Sequence, residues 1–511
     1  MLGPRPGEPR GPPASRTGRA YAAAQSQFYG HNGAVLGASV GLSGRLPAHS
    51  WLHLPDYADA MTSTALLTDM YELTMIRAAM HAGTAFRRCT FELFPRRLPP
   101  GRSYGVVAGT GRALAALAEF RFGDAEIAFL REREIADDAL AGWLADYRFS
   151  GDIRGYGEGE LFFSGSPVVV VEGSFAEAVV LETLLLSVFN HDSAVASAAS
   201  RMTLAAEDRP IIEMGGRRTH EYSAVASARA AWVAGFGSSS DLEAGRTWGI
   251  PVSGTAAHAF TMLFDSEADA FRAQLAAQGS DTTLLVDTYD VDAAIRLGVE
   301  LTGGRLGAIR LDSGDLSTEV ARVRKLLDSL GATSTRIIVT NDLDEYQIAA
   351  LRGAPVDGFG VGTSVVTGSG HPTCGMVYKM VSRADSDEPG AKQHPVYKKS
   401  VNKNTIGGRK IAMRQIDERG RASAEVIGVD ITPRPDSNDR FVMRDLVCQG
   451  EIVGTEPLLA ARERHASALA ELPLAGRRIS RAEQAIPTIF VSEEGEFGDN
   501  VYLHGKPPAN L

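Results

Sequence analysis

The sequence predicts an α/β fold built around a parallel sheet, and three observations carry that expectation. Short apolar strands alternate with helix-like stretches through the middle of the chain, which implies βαβ units. Those strands are apolar throughout, as suits a sheet covered on both faces. Polar residues fall repeatedly just past the strand ends, where barrels and doubly wound sheets keep their chemistry. A barrel is preferred, with an open sheet as the alternative that periodicity leaves standing.

From Thr68 onward the elements follow in order. "LTDMYELTMIRAAMHAG" spaces Met70, Leu73, Ile76 and Met80 at the period of a helix, and Gly83 ends it. "RCTFELFPRR" reads as a strand, and "GELFFSGSPVVVVEGSF" as two short ones punctuated by Gly, Ser and Pro. "FAEAVVLETLLLSVFNHDSAVASAASRM" reads as one long buried helix or a pair. The βα series then begins with "TTLLVDTYD" (282–290) and its helix "VDAAIRLGVELTGG". "LGAIRLDSGD" (306–315) precedes "STEVARVRKLLDSLG", whose Val320, Val323, Leu327 and Leu330 mark one face before Gly331. "RIIVTNDLDE" (336–345) precedes "YQIAALRG", and "VDGFGVGTS" (356–364) closes the series on glycines.

Two stretches differ in character. Residues 1–60, opening "MLGPRPGEPRGPPASRTGRA", are rich in Pro, Gly and Arg without periodicity; they read as a disordered extension or an over-extended start. Beyond Lys379 the chain is turn-rich and basic, with Lys392, Lys398, Lys399, Lys403, Arg409, Lys410 and Arg414. Such a run is either a solvated surface or a cationic cover for an anionic ligand. The expected limits are 61–175 for an N-terminal domain, 176–380 for the barrel and 381–511 for a C-terminal segment.

The totals narrow the function classes. At 511 residues, about two or three domains are expected. Hydrophobic residues at 44% and charged residues at 22% describe a globular chain. A net charge of −10 argues against nucleic acid or a membrane surface as partner, so an anionic ligand would need a local basic site. Cys89, Cys374 and Cys448 form no CxxC pair, which suggests neither zinc nor disulfides and suits a reducing, cytoplasmic setting. No membrane span is expected, because Glu172, Glu177 and Glu182 interrupt the most apolar region.

The candidate functional residues lie at strand ends. Asp287 and Asp290 follow the first strand of the series, and Arg310, Asp312 and Asp315 the second. Asn341, Asp342 and Asp344 follow the third, and Gly360, Gly362 and Thr363 the fourth. On one rim they would form an acidic ring, an arginine and a glycine-rich turn. Mg²⁺ favours carboxylates plus substrate phosphates, and a glycine-rich turn offers backbone N–H groups to phosphate. "EMGGRRTHEYSA" adds Arg217, Arg218 and His220, and "VSGTAAHAF" sets His258 among small residues. Spacing alone leaves His220 and His258 as rivals for a catalytic role; an ordinary half-buried histidine in a turn is the simpler reading of His258. There is no GxxxxGK[ST]. A phosphorylated sugar, a divalent metal and a small anion fit phosphoribosyl transfer.

Eight motifs occur in order: "LLTDMYELTM", "EMGGRRT", "GFGSSSDLEAGRTWGIPVSGTAAHAF", "LLVDTYD", "GAIRLDSGDL", "TNDLDE", "GVGTS" and "MVYKMV". From about Ala65 nearly to the C-terminus, the chain resembles the nicotinate phosphoribosyltransferase family. The resemblance implies a type II phosphoribosyltransferase fold, an irregular α/β barrel with a second α+β domain made from N- and C-terminal segments. It implies a homodimer with a shared active site and the reaction of nicotinate with phosphoribosyl pyrophosphate. The products would be nicotinate mononucleotide and pyrophosphate, with ATP hydrolysis coupled through a phosphohistidine in NAD salvage.

By motif, the resemblance assigns the phosphohistidine to His258 of "GTAAH". It places Tyr71, Thr255, Arg310 and Arg217 around nicotinate, Tyr71 from the partner chain. Thr363, Gly362 and Gly360 would bind phosphoribosyl pyrophosphate, while Asp287 and Asp312 would serve catalysis, ribose hydroxyls and Mg²⁺. Met214 departs from the pattern, since many relatives carry an aromatic residue there. Nicotinamide phosphoribosyltransferase and the decarboxylating quinolinate enzyme are the chemical rivals, and a non-catalytic barrel serving as a binding protein is the alternative class. A Schiff-base aldolase would need a strand lysine, and the strands at 282–290, 306–315 and 336–343 have none.

Overall fold

The computed structural model describes residues 63–398, 405–480, 483–493 and the backbone of 495–497. The expected extension at 1–60 lies outside the described residues, as do Lys399 and Lys403. Six short parallel strands form the central sheet: β1 (Ile211–Glu213), β2 (Ser238–Ser239), β3 (Thr283–Leu285), β4 (Ala308–Leu311), β5 (Arg336–Val339) and β6 (Gly358–Val361). Their spatial order is β2-β1-β6-β5-β4-β3, and every neighbouring pair is parallel. The sheet curls into a half-barrel. Ile309, Leu311, Ile337, Val339, Phe359 and Val361 are all buried, which accounts for the absence of polar alternation in the sequence.

Register sets the later chemistry. Leu285 lies beside Arg310, Arg310 beside Ile338, and Ile338 beside Gly358. Side chains two residues apart share a face, so Asp287, Asp312, Thr340 and Gly360 form the next row along the rim. A Cβ at Gly360 would lie 2.5 Å from Thr340 Cγ2 and 2.7 Å from Met214 Sδ, so this position admits only glycine without a shift of its neighbours.

The long apolar stretch is a pair of helices, Phe175–Val179 and Glu182–Ala206. Contrary to expectation, Phe175–Ala206 is long and apolar enough to cross a membrane, but 67% of its most apolar window is buried inside the protein. It is a core helix. Its Ser193 and Ser197 hydroxyls accept the N–H groups of Ala108 and Val106, binding the N-terminal segment to the half-barrel.

A seven-stranded antiparallel sheet joins distant parts of the chain. Arg88–Pro95 sits between Val169–Ser174 and Met376–Ala384, while Asp152–Tyr156 pairs with Met443–Cys448. A five-stranded sheet made wholly of C-terminal segments packs nearby. The N- and C-terminal segments therefore build one body of structure around shared ladders. Cys89, Cys374 and Cys448 are free.

The basic stretch after Lys379 corrects both sequence readings at two positions, Lys410 and Arg414. Lys410 is fully buried, with its ammonium on the Glu92 carboxylate and the carbonyls of Ile406 and Gly408. Arg414 is also fully buried, donating to Glu425 at 2.7 Å and to the Leu161 carbonyl at 2.9 Å. Arg409 pairs with Glu172. These cations connect the five-stranded sheet to the N-terminal segment. Lys392 and Lys398 are exposed, as a solvated surface requires.

Two measurements test this account. Replacing Lys410→Met should strand the Glu92 carboxylate and cost about 3–5 kcal/mol, read as a lower urea midpoint; adding Glu92→Leu should restore most of it. His465, buried on helix Leu458–Glu471, has its pKa pushed down to about 4 by burial. The unfolded chain takes up that proton near pH ~6.5, before the folded chain does. This contribution is complete above pH ~6.5 and falls as pH drops toward 4. His465→Leu should remove that part of the pH slope in paired unfolding curves.

Candidate active site

The cleft at the exits of β3, β4 and β5 begins with Asp287. Its Oδ2 accepts the Asp312 N–H at 2.7 Å and the Ser313 hydroxyl at 2.8 Å. These bonds prolong the β3–β4 association beyond the backbone ladder. Its Oδ1 is buried without a hydrogen-bond partner, and the whole side chain is only 4% exposed. A buried carboxylate oxygen left open is costly unless a proton donor or cation meets it.

His258 faces that oxygen. Its Nε2 lies 3.9 Å from both Asp287 Oδ1 and Asp312 Oδ2, and its Nδ1 shares a 3.1 Å hydrogen bond with Thr288 Oγ1. It is the first residue of the short helix His258–Met262, reached through an irregular stretch after Val252. At 38% exposure the imidazole has solvent access. The simpler reading, a half-buried histidine in a turn, matches its burial but not its two facing carboxylates.

Arg310 closes one side. Its Nη1 donates to Thr255 Oγ1 at 3.0 Å and to the Ala256 carbonyl at 3.3 Å, and its Nη2 lies 3.9 Å from Asp312 Oδ1. Its Nε is buried and unpartnered. The guanidinium is therefore fixed at one edge, with donor capacity left over for an anion. Asp312 also accepts from the Thr340 hydroxyl. Just beyond it, Asn341 and Asp342 have φ of 113° and 36°, left-handed backbone that a non-glycine residue adopts at a cost.

The structure thus gathers His258, Asp287, Thr255, Arg310 and Asp312. Gly360 follows on the same rim, and Gly362 and Thr363 open the short helix Thr363–Val366. Met214 N–H donates to the Val361 carbonyl at 2.7 Å, so the "EMGG" turn lies against the "GVGT" turn. Arg217 is exposed on the turn Gly216–Arg218, where no hydrogen bond or ion pair is described for its side chain. Tyr71 lies elsewhere, on helix Met70–His81, beside Glu182. Burial, with Glu182 and Glu72 adjacent, raises its phenol pKa.

The acidic ring is smaller than expected. Asp290, Asp315 and Asp344 cap the helices Val291–Thr302, Leu316–Ser329 and Glu345–Ala350, each accepting a first-turn N–H. Asp287 and Asp312 remain as the inward pair. Among the described residues, no group of three or more His, Cys, Asp or Glu is placed to hold a metal. Two carboxylates with one open buried oxygen still suit Mg²⁺, which keeps waters and shares substrate phosphates. His220 is also a cap: its Nδ1 accepts the Tyr222 N–H at 3.3 Å, and its side chain is exposed. The sequence reading missed Thr288, Ser313 and Thr340, whose only signal was adjacency to the strand-end acids.

Comparison with known proteins places the chain in a family. Residues 66–190 match the family model of the nicotinate phosphoribosyltransferase N-terminal domain. Nicotinate phosphoribosyltransferase pncB1 of Mycobacterium tuberculosis is 53% identical over 444 residues, covering 84% of this chain and 96% of that protein. The Bacillus subtilis nicotinate phosphoribosyltransferase is 36% identical, covering 72% and 76% respectively. The crystal structure of human nicotinic acid phosphoribosyltransferase superposes with a TM-score of 0.73 at 26% identity, covering 84% of this chain and 98% of that one. A half-barrel whose strand exits gather this histidine, arginine and aspartate pair, together with these relatives, identifies the chain as a member of the nicotinate phosphoribosyltransferase family.

Proposed function

We propose that this chain joins nicotinate to phosphoribosyl pyrophosphate in NAD salvage, coupled to ATP hydrolysis through His258. The observation that carries the reading is Arg310, tethered to Thr255 with donor capacity unused, beside His258 and the carboxylates of Asp287 and Asp312. A guanidinium suits the carboxylate of nicotinate; nicotinamide would gain nothing from that charge.

In phosphoribosyl transfer the pyridine nitrogen forms a bond to the anomeric carbon as the bond from that carbon to pyrophosphate breaks. The pyridine lone pair supplies the new bond, and pyrophosphate leaves with the old pair. Arg310 and Thr255 hold the acid so that its nitrogen points at the sugar. Asp287 and Asp312 would accept the ribose hydroxyls and would hold Mg²⁺, which when bound neutralises charge on the departing pyrophosphate. The amides of Gly360 and Gly362, the Thr363 hydroxyl and the free cation of Arg217 suit the sugar phosphate.

For coupling, an imidazole nitrogen of His258 takes the γ-phosphoryl of ATP. An N–P bond forms as the P–O bond to the β-phosphate breaks and ADP leaves. The neutral ring attacks with a lone pair and keeps its other N–H, so no proton need depart. Water later attacks phosphorus, releasing phosphate and restoring the ring. Phosphorylation would add charge beside the pyrophosphate site, improving substrate affinity and driving the reaction toward product.

A homodimer completes the reading for Tyr71. Leu66, Leu67, Met70, Tyr71 and Met75 are all exposed at the start of the described chain, an apolar run suited to a second copy that would carry Tyr71 to the partner's nicotinate. Three free cysteines, two of them buried, suit a cytoplasmic setting.

Steady-state mononucleotide formation, with nicotinate or nicotinamide and with or without ATP-Mg²⁺, tests the proposal. ATP should stimulate nicotinate turnover, and His258→Ala should abolish the stimulation; preference for nicotinamide would overturn the substrate. Arg310→Ala should lower kcat/KM for nicotinate by roughly 10- to 100-fold, the range of a lost charge-assisted hydrogen bond.

A further inference from the structure

We propose that Thr288 is a positioning residue that sets the rotation of the His258 ring; this rests on the role given to His258 above. His258 emerges from "SGTAA", residues too small to wedge an imidazole, and 38% of its side chain is open to solvent. Its sequence neighbours therefore do not fix the rotation of the ring. Among the described residues, its hydrogen-bond partner is Thr288, through Nδ1 and Oγ1 at 3.1 Å.

Thr288 can hold this bond because its neighbour is immobilised. Asp287 Oδ2 is committed to the Asp312 N–H and the Ser313 hydroxyl, which fixes the chain at the exit of β3 and with it the Thr288 hydroxyl one residue on. With Nδ1 held there, the opposite edge of the ring presents Nε2 between Asp287 Oδ1 and Asp312 Oδ2, 3.9 Å from each. Turning the ring over would exchange nitrogen for carbon at both places. The buried, unpartnered Asp287 Oδ1 marks where that edge must point. One hydroxyl thus chooses which ring nitrogen is presented to the cleft: with Nδ1 bound to Thr288, Nε2 is the nitrogen whose lone pair meets an incoming phosphoryl group.

The test is the rate and final extent of transfer of labelled γ-phosphoryl from ATP to the full-length protein, quenched in alkali. Thr288→Val keeps the shape and removes the hydroxyl; Thr288→Ser keeps the hydroxyl. The Val variant should label to the wild-type extent but about tenfold more slowly, the factor one hydrogen bond commonly carries, while the Ser variant stays within about threefold. A folding defect would instead lower the extent. Wild-type labelling rate in the Val variant, or equal slowing in Val and Ser, overturns the role of Thr288. If His258→Ala still labels, or wild type does not, the role of His258 fails first and the Thr288 proposal falls with it.

Discussion

One carboxylate organises the cleft. Asp287 lies two residues past its strand, where backbone pairing has ended and the chain would otherwise diverge from its neighbour. By accepting the Asp312 N–H and the Ser313 hydroxyl at one oxygen, it continues the sheet with a side chain. That fixes the exits of β3 and β4 relative to each other, and it leaves the second oxygen nowhere to turn but toward His258. Arg310, Asp312 and Thr340 all take their places from the strands so joined.

The rigidity beneath the rim comes from two different sources. Parallel strands buried on both faces give the half-barrel a dry floor. The seven- and five-stranded sheets instead rely on charges taken out of water in matched sets. Arg414, Glu425, Tyr156 and Ser166 share one such set, and Arg440 bridges Glu160 and Glu471 in the next. Such pairs add little net stability against an apolar replacement, yet they penalise any arrangement that separates them. Their use here is to specify which segments meet.

Most of the half-barrel was legible in the sequence because each βα unit is local. The strand at 308–311 and its helix at 316–329 carry their own pattern, stop signals and caps. The strand-end acids were harder. Asp290 and Asp287 are the same residue type in the same loop, but one caps a helix and the other faces the cleft. The loop position after a strand and before a helix serves both uses, and only backbone direction separates them. Likewise His220 and His258 differed only in whether a helix start consumed the ring. Lys410 and Arg414 looked like surface because their partners, Glu92 and Glu425, come from strands that composition cannot align.

The shared antiparallel sheet also has a temporal side. Cys89 pairs with Arg383, which leaves the ribosome about 15–60 s later at roughly 5–20 residues per second. Until then Arg88–Pro95 has its inner neighbour but an unfilled edge, while the intervening half-barrel can already close. The nascent chain therefore carries a strand with one bare edge through most of its synthesis, and the last quarter of the protein must find a slot held open for it.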